Sequence, residues 1–384
     1  MTLLTKTEEL TAFCVANAAA DFITIDTEFM RERTYWPKLC LVQLGGPQDV
    51  VAVDPLSKDM DLKPLFELLA NTKIIKVFHA ARQDVEIFVN LTGQVPQPMF
   101  DTQVAAMVCG FGDAASYETL ADRLAGAKID KSSRFTDWSN RPLSERQIEY
   151  ALGDVSHLRT VYVKLRDQVI KSGRAEWVQE EMAVLTNPAT YQINPQEVWR
   201  RFKWRADKPR LRAVLRELAA WREIEAQRLN VPRGRVLRDE ALAEIANHPP
   251  ETIHDLARVR GLSTGFAESR QGAEILAAVA RIKTLPPEQY PAGDKRRVLP
   301  SGLGPVVDLL KILLKQVSEE HGVASKLIAN VDDLEDIAAD DNAEAPAMRG
   351  WRRELFGNTA LALKRGELAL SVDHRKVVVR PVGG

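Results

Sequence analysis

Four acids in this sequence have the types and spacing to hold a divalent cation, and a tyrosine is spaced to join them. In "FITIDTEFMRE" (22–32) an apolar, β-rich run ends in two acids, Asp26 and Glu28. Residues i and i+2 of a strand point to one face, so these carboxylates share a side of a sheet and repel. A divalent cation is the natural compensation. "VFHAARQDVEIF" sets Asp84 in the first turns of a helix that follows a strand. "EYALGDV" sets Tyr150 and Asp154 four residues apart, stacked on one helix face. Taken singly the acids are weak signals, because an Asp near a helix start is usually a cap. Asp101 in "MFDTQVAAM" is read as such a cap. Asp26 differs, since the residues before it have the pattern of a core strand.

The elements that must carry these residues are legible as patterns. Short β-rich runs at "FITIDTEF", "KLCLVQLGG", "DVVAVDPL" and "KIIKVFHA" alternate with helical periodicity in "LKPLFELLAN", "ARQDVEIFVNLTG" and "DTQVAAMVCGF". A long helix is expected from about Ser144 to Lys171, with Ser144 as N-cap and Gly173 just past its end. These patterns predict an α/β domain with a mixed sheet over residues 1–190. After "TNPATYQINPQ" the strand patterns stop. From Pro209 the chain reads as helical, broken at Thr284–Pro300, whose prolines mark a linker. The flanking segments resemble each other: Val214, Leu218, Val231, Leu242, Ile245 and Ala246 match Val306, Leu310, Val323, Leu334, Ile337 and Ala338 at a constant offset of 92. A small helical domain is therefore expected twice, over 208–285 and 300–375.

Composition narrows the class. Apolar residues are 45% and charged residues 27% of the chain, as in globular proteins, and there is no apolar run of membrane-spanning length. Cys14, Cys40 and Cys109 have no metal-site spacing and read as buried thiols in a reducing compartment, so a cytoplasmic protein is expected. The net charge of −1 is unevenly spread: Arg200–Arg238 holds thirteen Lys/Arg against four Asp/Glu, whereas Asn330–Glu344 holds seven acids and no base. A basic stretch on a neutral chain fits a polyanion such as nucleic acid, or else a solvated helix face.

"DTEF", then the Asp of "HAARQD", then the Tyr-x3-Asp of "YALGD" resembles the three-motif order of the DEDD exonucleases, tyrosine subgroup. The longer strings "DTEFMRERTYWPKLCLVQL", "FHAARQDVEIF" and "TDWSNRPLSERQIEYALGDV" resemble the ribonuclease D family in particular, and the doubled helical segment resembles its HRDC domains. This resemblance implies an RNase H-like α/β exonuclease domain followed by two small all-α HRDC-type domains. It implies two divalent ions, Mg²⁺ or Mn²⁺, which the hard carboxylate oxygens suit. Asp26 is expected to bridge both ions, Glu28 and Asp154 to complete one site, and Asp84 to support the other. Tyr150, a phenol at neutral pH, is expected to orient the nucleophile. The implied activity is 3′→5′ removal of nucleotides from RNA 3′ ends as 5′-mononucleotides, with tRNA precursors as substrate. No membrane partner is expected, and the sequence leaves the oligomeric state open.

Further candidates are Phe29 and Met30, as an apolar wedge against the terminal base, and His79, as a substrate contact. Core packing competes with the first two, and a structural role with the third. Arg31, Arg33 and Lys38 are expected beside the site as phosphate contacts. Two rival readings stand: an exonuclease acting mainly on DNA, and a nucleic-acid-binding scaffold with an inactive nuclease domain. The complete set of Asp26, Glu28, Asp84, Tyr150 and Asp154 speaks against the second.

Overall fold

The computed structural model describes residues 2–130, 133, 136–202, 208–293 and 300–383. Residues 203–207 of the basic stretch and 294–299 of the expected linker lie outside these. A six-stranded mixed sheet runs in the order β1-β4-β3-β2-β5-β6, with β1 at Thr2–Leu4, β2 at Phe22–Met30, β3 at Lys38–Gly45, β4 at Val50–Val53, β5 at Ile75–Phe78 and β6 at Met99–Asp101. β2, β5 and β6 are parallel to one another, and β3 is antiparallel to β4. The helices of this part are α1 (Thr7–Ala16), α2 (Lys63–Ala70), α3 (Arg82–Thr92), α4 (Thr102–Val108), α5 (Tyr117–Leu120), α6 (Glu145–Lys171) and α7 (Ala175–Thr186). Ser144 closes a capping box with Gln147 at the start of α6, and Gly173 has the left-handed φ of 70° that ends a helix cleanly.

Thr24 and Gly45 bring α6 down onto the sheet. Thr24 Oγ1 donates to the Val155 carbonyl at 2.8 Å. A Cβ on Gly45 would lie 2.2 Å from Thr24 Oγ1 and 3.2 Å from the Val155 oxygen, so only glycine permits this approach. Thr24, Asp26 and Glu28 share a strand face, so the face that receives α6 also carries both acids.

The helical part that follows contains α8 (Pro209–Leu229), α9 (Arg233–Val236), α10 (Asp239–Asn247), α11 (Ile253–Ala257), α12 (Thr264–Ala267) and α13 (Arg270–Thr284). Further on come α14 (Gly304–His321), α15 (Ser325–Ile328), α16 (Val331–Ala339), α17 (Gly350–Arg352) and α18 (Asn358–Lys364). The repeat is visible in the elements themselves: α9 and α10 recur as α15 and α16 with both boundaries displaced by 92 residues. Left-handed caps at Asn230 (φ 50°) and Gly322 (φ 58°) keep the same offset. The copies then diverge. The second ends in a hairpin of β7 (Leu368–Asp373) and β8 (Lys376–Pro381), an addition to the all-helical pattern expected there. Leu370 and Val379 of the hairpin pack on the core of the second module, which accounts for its place.

The chain forms two compact units: Met1–Glu28, Cys40–Thr190 and Arg297–Gly384 make one, and Phe29–Leu39 with Tyr191–Arg296 makes the other. Within the first unit the second helical module packs against the nuclease part. Trp177 of α7 and Trp351 of α17 stack with centroids 4.4 Å apart and planes 12° apart. Arg174 lies 5.0 Å from the Trp177 centroid and Arg352 4.4 Å from that of Trp351, giving a ladder of cation, two rings and cation. Arg352 also pairs with Glu180 and Glu181, and Arg174 Nη2 donates to the His321 carbonyl at 2.6 Å. Trp351→Ala should cost about 3–5 kcal/mol, the usual range for a buried Trp truncation. Denaturant unfolding of full-length protein should show this loss in the transition of the nuclease unit, whereas Trp351→Phe should restore most of it.

Candidate active site

Asp26, Glu28 and Asp154 come together as the sequence predicts: one carboxylate oxygen from each lies within 4.8 Å of the others. β2 supplies the first two from one face, and α6 supplies the third one residue before its contact with Thr24. Burial raises the Asp26 carboxyl to about 6, against a partly offsetting hydrogen bond from the Thr27 backbone. Three hard oxygen donors in a group that resists its own charge suit a small divalent cation.

Asp84 is placed differently from those three. It is buried and accepts a short hydrogen bond from the Thr27 hydroxyl. Thr27 lies on the strand face opposite to Asp26 and Glu28, so Asp84 approaches from the α3 side. Burial first, then the charge of Asp26, holds its carboxyl well above the ordinary range. Asp84 is thus electrostatically part of the site without belonging to the three-acid cluster.

Asp101 is a cap, as expected, and holds more than one helix start. Its carboxylate accepts from Gln103 N at 2.7 Å at the head of α4, and from Ala80 N and Ala81 N at 3.1 and 2.8 Å. Ala80 is left-handed at φ 57°, an uncommon conformation for a residue with a Cβ, and these bonds hold the turn that leads into α3 and Asp84.

Tyr150 hydrogen-bonds to Asp154, and burial, then Asp154, Glu28 and Asp26, all push its phenol upward. It is therefore a protonated donor at neutral pH. Trp138, 2% exposed, lies with its ring centroid 6.1 Å from that of Tyr150. Arg141 pins the Trp138 segment: Nε and Nη2 each reach an oxygen of Asp54 at 2.7 Å, and Nη1 reaches the Trp138 carbonyl at 2.7 Å. The sequence reading missed Trp138, Thr27 and Tyr117. Tyr117 donates to the carbonyl of Gly153, beside Asp154, at 2.9 Å. Only their nearness in sequence to the motifs signalled Thr27 and Trp138, and nothing signalled Tyr117.

His79 is engaged within the fold. Nδ1 lies 3.0 Å from Thr102 Oγ1, the ring packs on Tyr117 at 5.6 Å, and burial lowers its pKa. Phe29 and Met30 directly follow Glu28 and are half-buried, and Arg31, Arg33 and Lys38 are exposed. The basic stretch is less free than its count implies: Arg222 pairs with Asp239, Arg228 with Glu225 and Arg233 with Glu223. Lys208, Arg210, Arg235 and Arg238 are exposed.

The raised carboxyls give a pH prediction. Asp26 binds its proton more tightly folded (about 6) than at its ordinary value of 3.8, and Asp84 shifts in the same direction. Their penalty is absent below the ordinary value and grows as pH rises through the folded one. EDTA-treated protein should lose stability from pH 4 to 7, and Mg²⁺ should raise its melting temperature at pH 7.5 far more than at pH 5. Equal stabilisation at both values would show that the ion binds elsewhere.

A family profile described as 3'-5' exonuclease matches residues 1–170, and one described as HRDC domain matches residues 212–279. With the sheet and the acid cluster, these define the class: a 3′→5′ exonuclease carrying an HRDC domain. Ribonuclease D of Granulibacter bethesdensis is 52% identical to the chain over 385 residues, covering 100% of this chain and 97% of the relative. That of Nitrobacter hamburgensis is also 52% identical, covering 98% and 99%. The crystal structure of Escherichia coli RNase D superposes with a TM-score of 0.80 at 30% identity, covering 95% of this chain and 98% of that one. The chain belongs to the ribonuclease D family and is a 3′→5′ exoribonuclease. Among the described residues no helix is long and apolar enough to cross a membrane.

Proposed function

We propose that Asp26, Glu28 and Asp154, supported by Asp84, hold two divalent ions, Mg²⁺ or Mn²⁺, at which RNA 3′ ends are cleaved to 5′-mononucleotides. The carrying observation is the convergence of three carboxylates within 4.8 Å, with the Tyr150 hydroxyl bonded to one of them. Such ions supply Lewis-acid stabilisation of the charge developing on the attacking and leaving oxygens. Tyr150, held as a donor, orients the attacking water and leaves proton removal to other groups. Phe29 and Met30 stack against the terminal base, and His79 is a further substrate contact.

The substrate proposed is a structured RNA with a short 3′ tail, with tRNA precursors as the physiological case, in the cytoplasm. Support comes from the E. coli relative, described as an exoribonuclease involved in structured RNA processing. Residues 1–190 form the exonuclease domain, 208–285 the first HRDC-type domain and 300–375 the second. Lys208, Arg210, Arg235 and Arg238 are the proposed phosphate contacts, and the acidic second copy braces the nuclease unit.

Two measurements test this. Matched RNA and DNA oligomers should be degraded at clearly different rates, both abolished by EDTA; equal rates would remove the RNA assignment. Reversing the charge of the four exposed cations should weaken binding to a tailed hairpin more than to a short single strand. It should also flatten the salt dependence of log affinity by about 0.7–0.9 per lost phosphate contact. An unchanged slope would place docking elsewhere.

A further inference from the structure

Gln43 of β3 is fully buried, and among the described residues neither its amide nitrogen nor its amide oxygen has a hydrogen-bond partner. The residues around it in the strand, Cys40, Leu41, Val42 and Leu44, are apolar and buried. A buried amide without partners has lost its hydration with nothing in return, so an apolar side chain of equal volume would be more stable there. An orphaned amide in the middle of a sheet needs a local reason.

The sheet supplies one. β2 and β3 are adjacent and joined by residues 31–37. A connection that short makes the pair antiparallel, because parallel strands need a crossover of about a dozen residues or more. Thr24 Oγ1 lies 3.5 Å from the Gly45 carbonyl oxygen, and a Cβ on Gly45 would run into it, which sets Thr24 against Gly45. Two residues further along β2 and two back along β3, Asp26 stands opposite Gln43. Both side chains leave the face that receives α6, since Gly45 meets the Val155 oxygen there and the pleat repeats every second residue. Opposed side chains of this kind have Cβ atoms about 4.5–5.5 Å apart. The other neighbours of Gln43 on that face are Ala52, its partner on β4, and Leu41 and Gly45 along β3. Of the four, only Asp26 has a polar side chain.

We infer that Gln43 is a positioning residue of the metal centre, whose amide nitrogen donates to the ionised Asp26 carboxylate and fixes the orientation in which Asp26 serves as a ligand. The inference rests on Asp26, Glu28 and Asp154 being that centre. A change of rotamer in either side chain closes the bond between the opposed groups. A carboxylate accepts more hydrogen bonds than the one from the Thr27 backbone, and the amide offers two donors. It also donates without charge, whereas Lys or Arg beside Asp26 would repel the cation that the acids hold.

Full-length Gln43→Met removes the amide and nearly keeps length and volume. Its Mg²⁺ affinity, read by calorimetry, should fall about 10–100-fold, the usual loss when the outer partner of a metal ligand is removed. The half-saturating Mg²⁺ concentration for RNA cleavage should rise by the same factor. Metal-free protein should melt no lower than wild type, because an unpaired amide leaves a buried place. Adding Gln43→Met to Asp26→Asn should cost little further affinity, since the first residue acts through the second. Wild-type Mg²⁺ affinity in folded Gln43→Met overturns the inference, as do losses that add in full in the double variant. A lower metal-free melting temperature would assign Gln43 to strand packing and overturn it too. Should Gln43→Met not fold, Gln43→Glu is close in shape and reads the pair by exchange. Combined with Asp26→Asn it returns a carboxylate opposite an amide and should recover part of the lost affinity; no recovery overturns the inference. Wild-type affinity in Asp26→Asn alone would instead remove the metal-centre reading beneath it.

Discussion

Asp26→Asn and Asp154→Asn should each lower exonuclease turnover by orders of magnitude while leaving the fold intact. Each removes a charge from the three-acid cluster and nearly keeps shape. Losing a carboxylate weakens ion binding and the stabilisation of transition-state charge together, and the second effect acts on chemistry itself. The burial that lifts Asp26 toward about 6 adds a sign to the expectation. In the absence of metal Asp26→Asn should melt no lower than wild type at pH 7.5, because it removes a charge that the site disfavours. Single-turnover cleavage with saturating Mg²⁺ and thermal melting of EDTA-treated protein check the two halves. Near-normal cleavage by a correctly folded Asp26→Asn would falsify the metal-centre reading.

Tyr150→Phe should slow cleavage by about 10²–10⁴-fold, the range for a positioned proton-handling group, with RNA binding little changed. Only a hydroxyl bonded to Asp154 is lost, while the ring stays beside Trp138. Because burial and three carboxylates push this phenol up, it should not titrate in the working range. The residual activity of Tyr150→Phe should therefore keep the wild-type pH profile; loss of its alkaline limb would show that the phenol had been acting as a base. Asp101→Asn is the control. It keeps one oxygen to accept from Gln103 and Ala80, so it should retain most of the turnover at some cost in stability.

What the sequence made legible was local. The alternation in "FITIDTEF", the cap at Ser144, the stop at Gly173 and the i,i+4 pairing of Tyr150 with Asp154 are decided by neighbours a few residues away, and all appear in the structure. The repeat was legible because both copies keep their helix boundaries at one offset. Partners distant in the chain left no such trace. Thr27 with Asp84, Tyr35 with Glu223 and Trp177 with Trp351 meet only through tertiary packing. The basic stretch also holds internal ion pairs that a charge count does not show. Arg222 and Arg233 are matched by Asp239 and Glu223, more distant in the chain, and Arg228 by Glu225 one turn before it.

The ladder of Trp177 and Trp351 also sets an order of events at the ribosome. The two rings are 174 positions apart in the chain. At about 5–20 residues per second, translation needs roughly 10–35 s to deliver the second ring after the first. Throughout that interval the nascent nuclease lacks the partner for α7 and presents an aromatic face to its surroundings. The nuclease unit thus completes this part of its packing only after Trp351 has been synthesised.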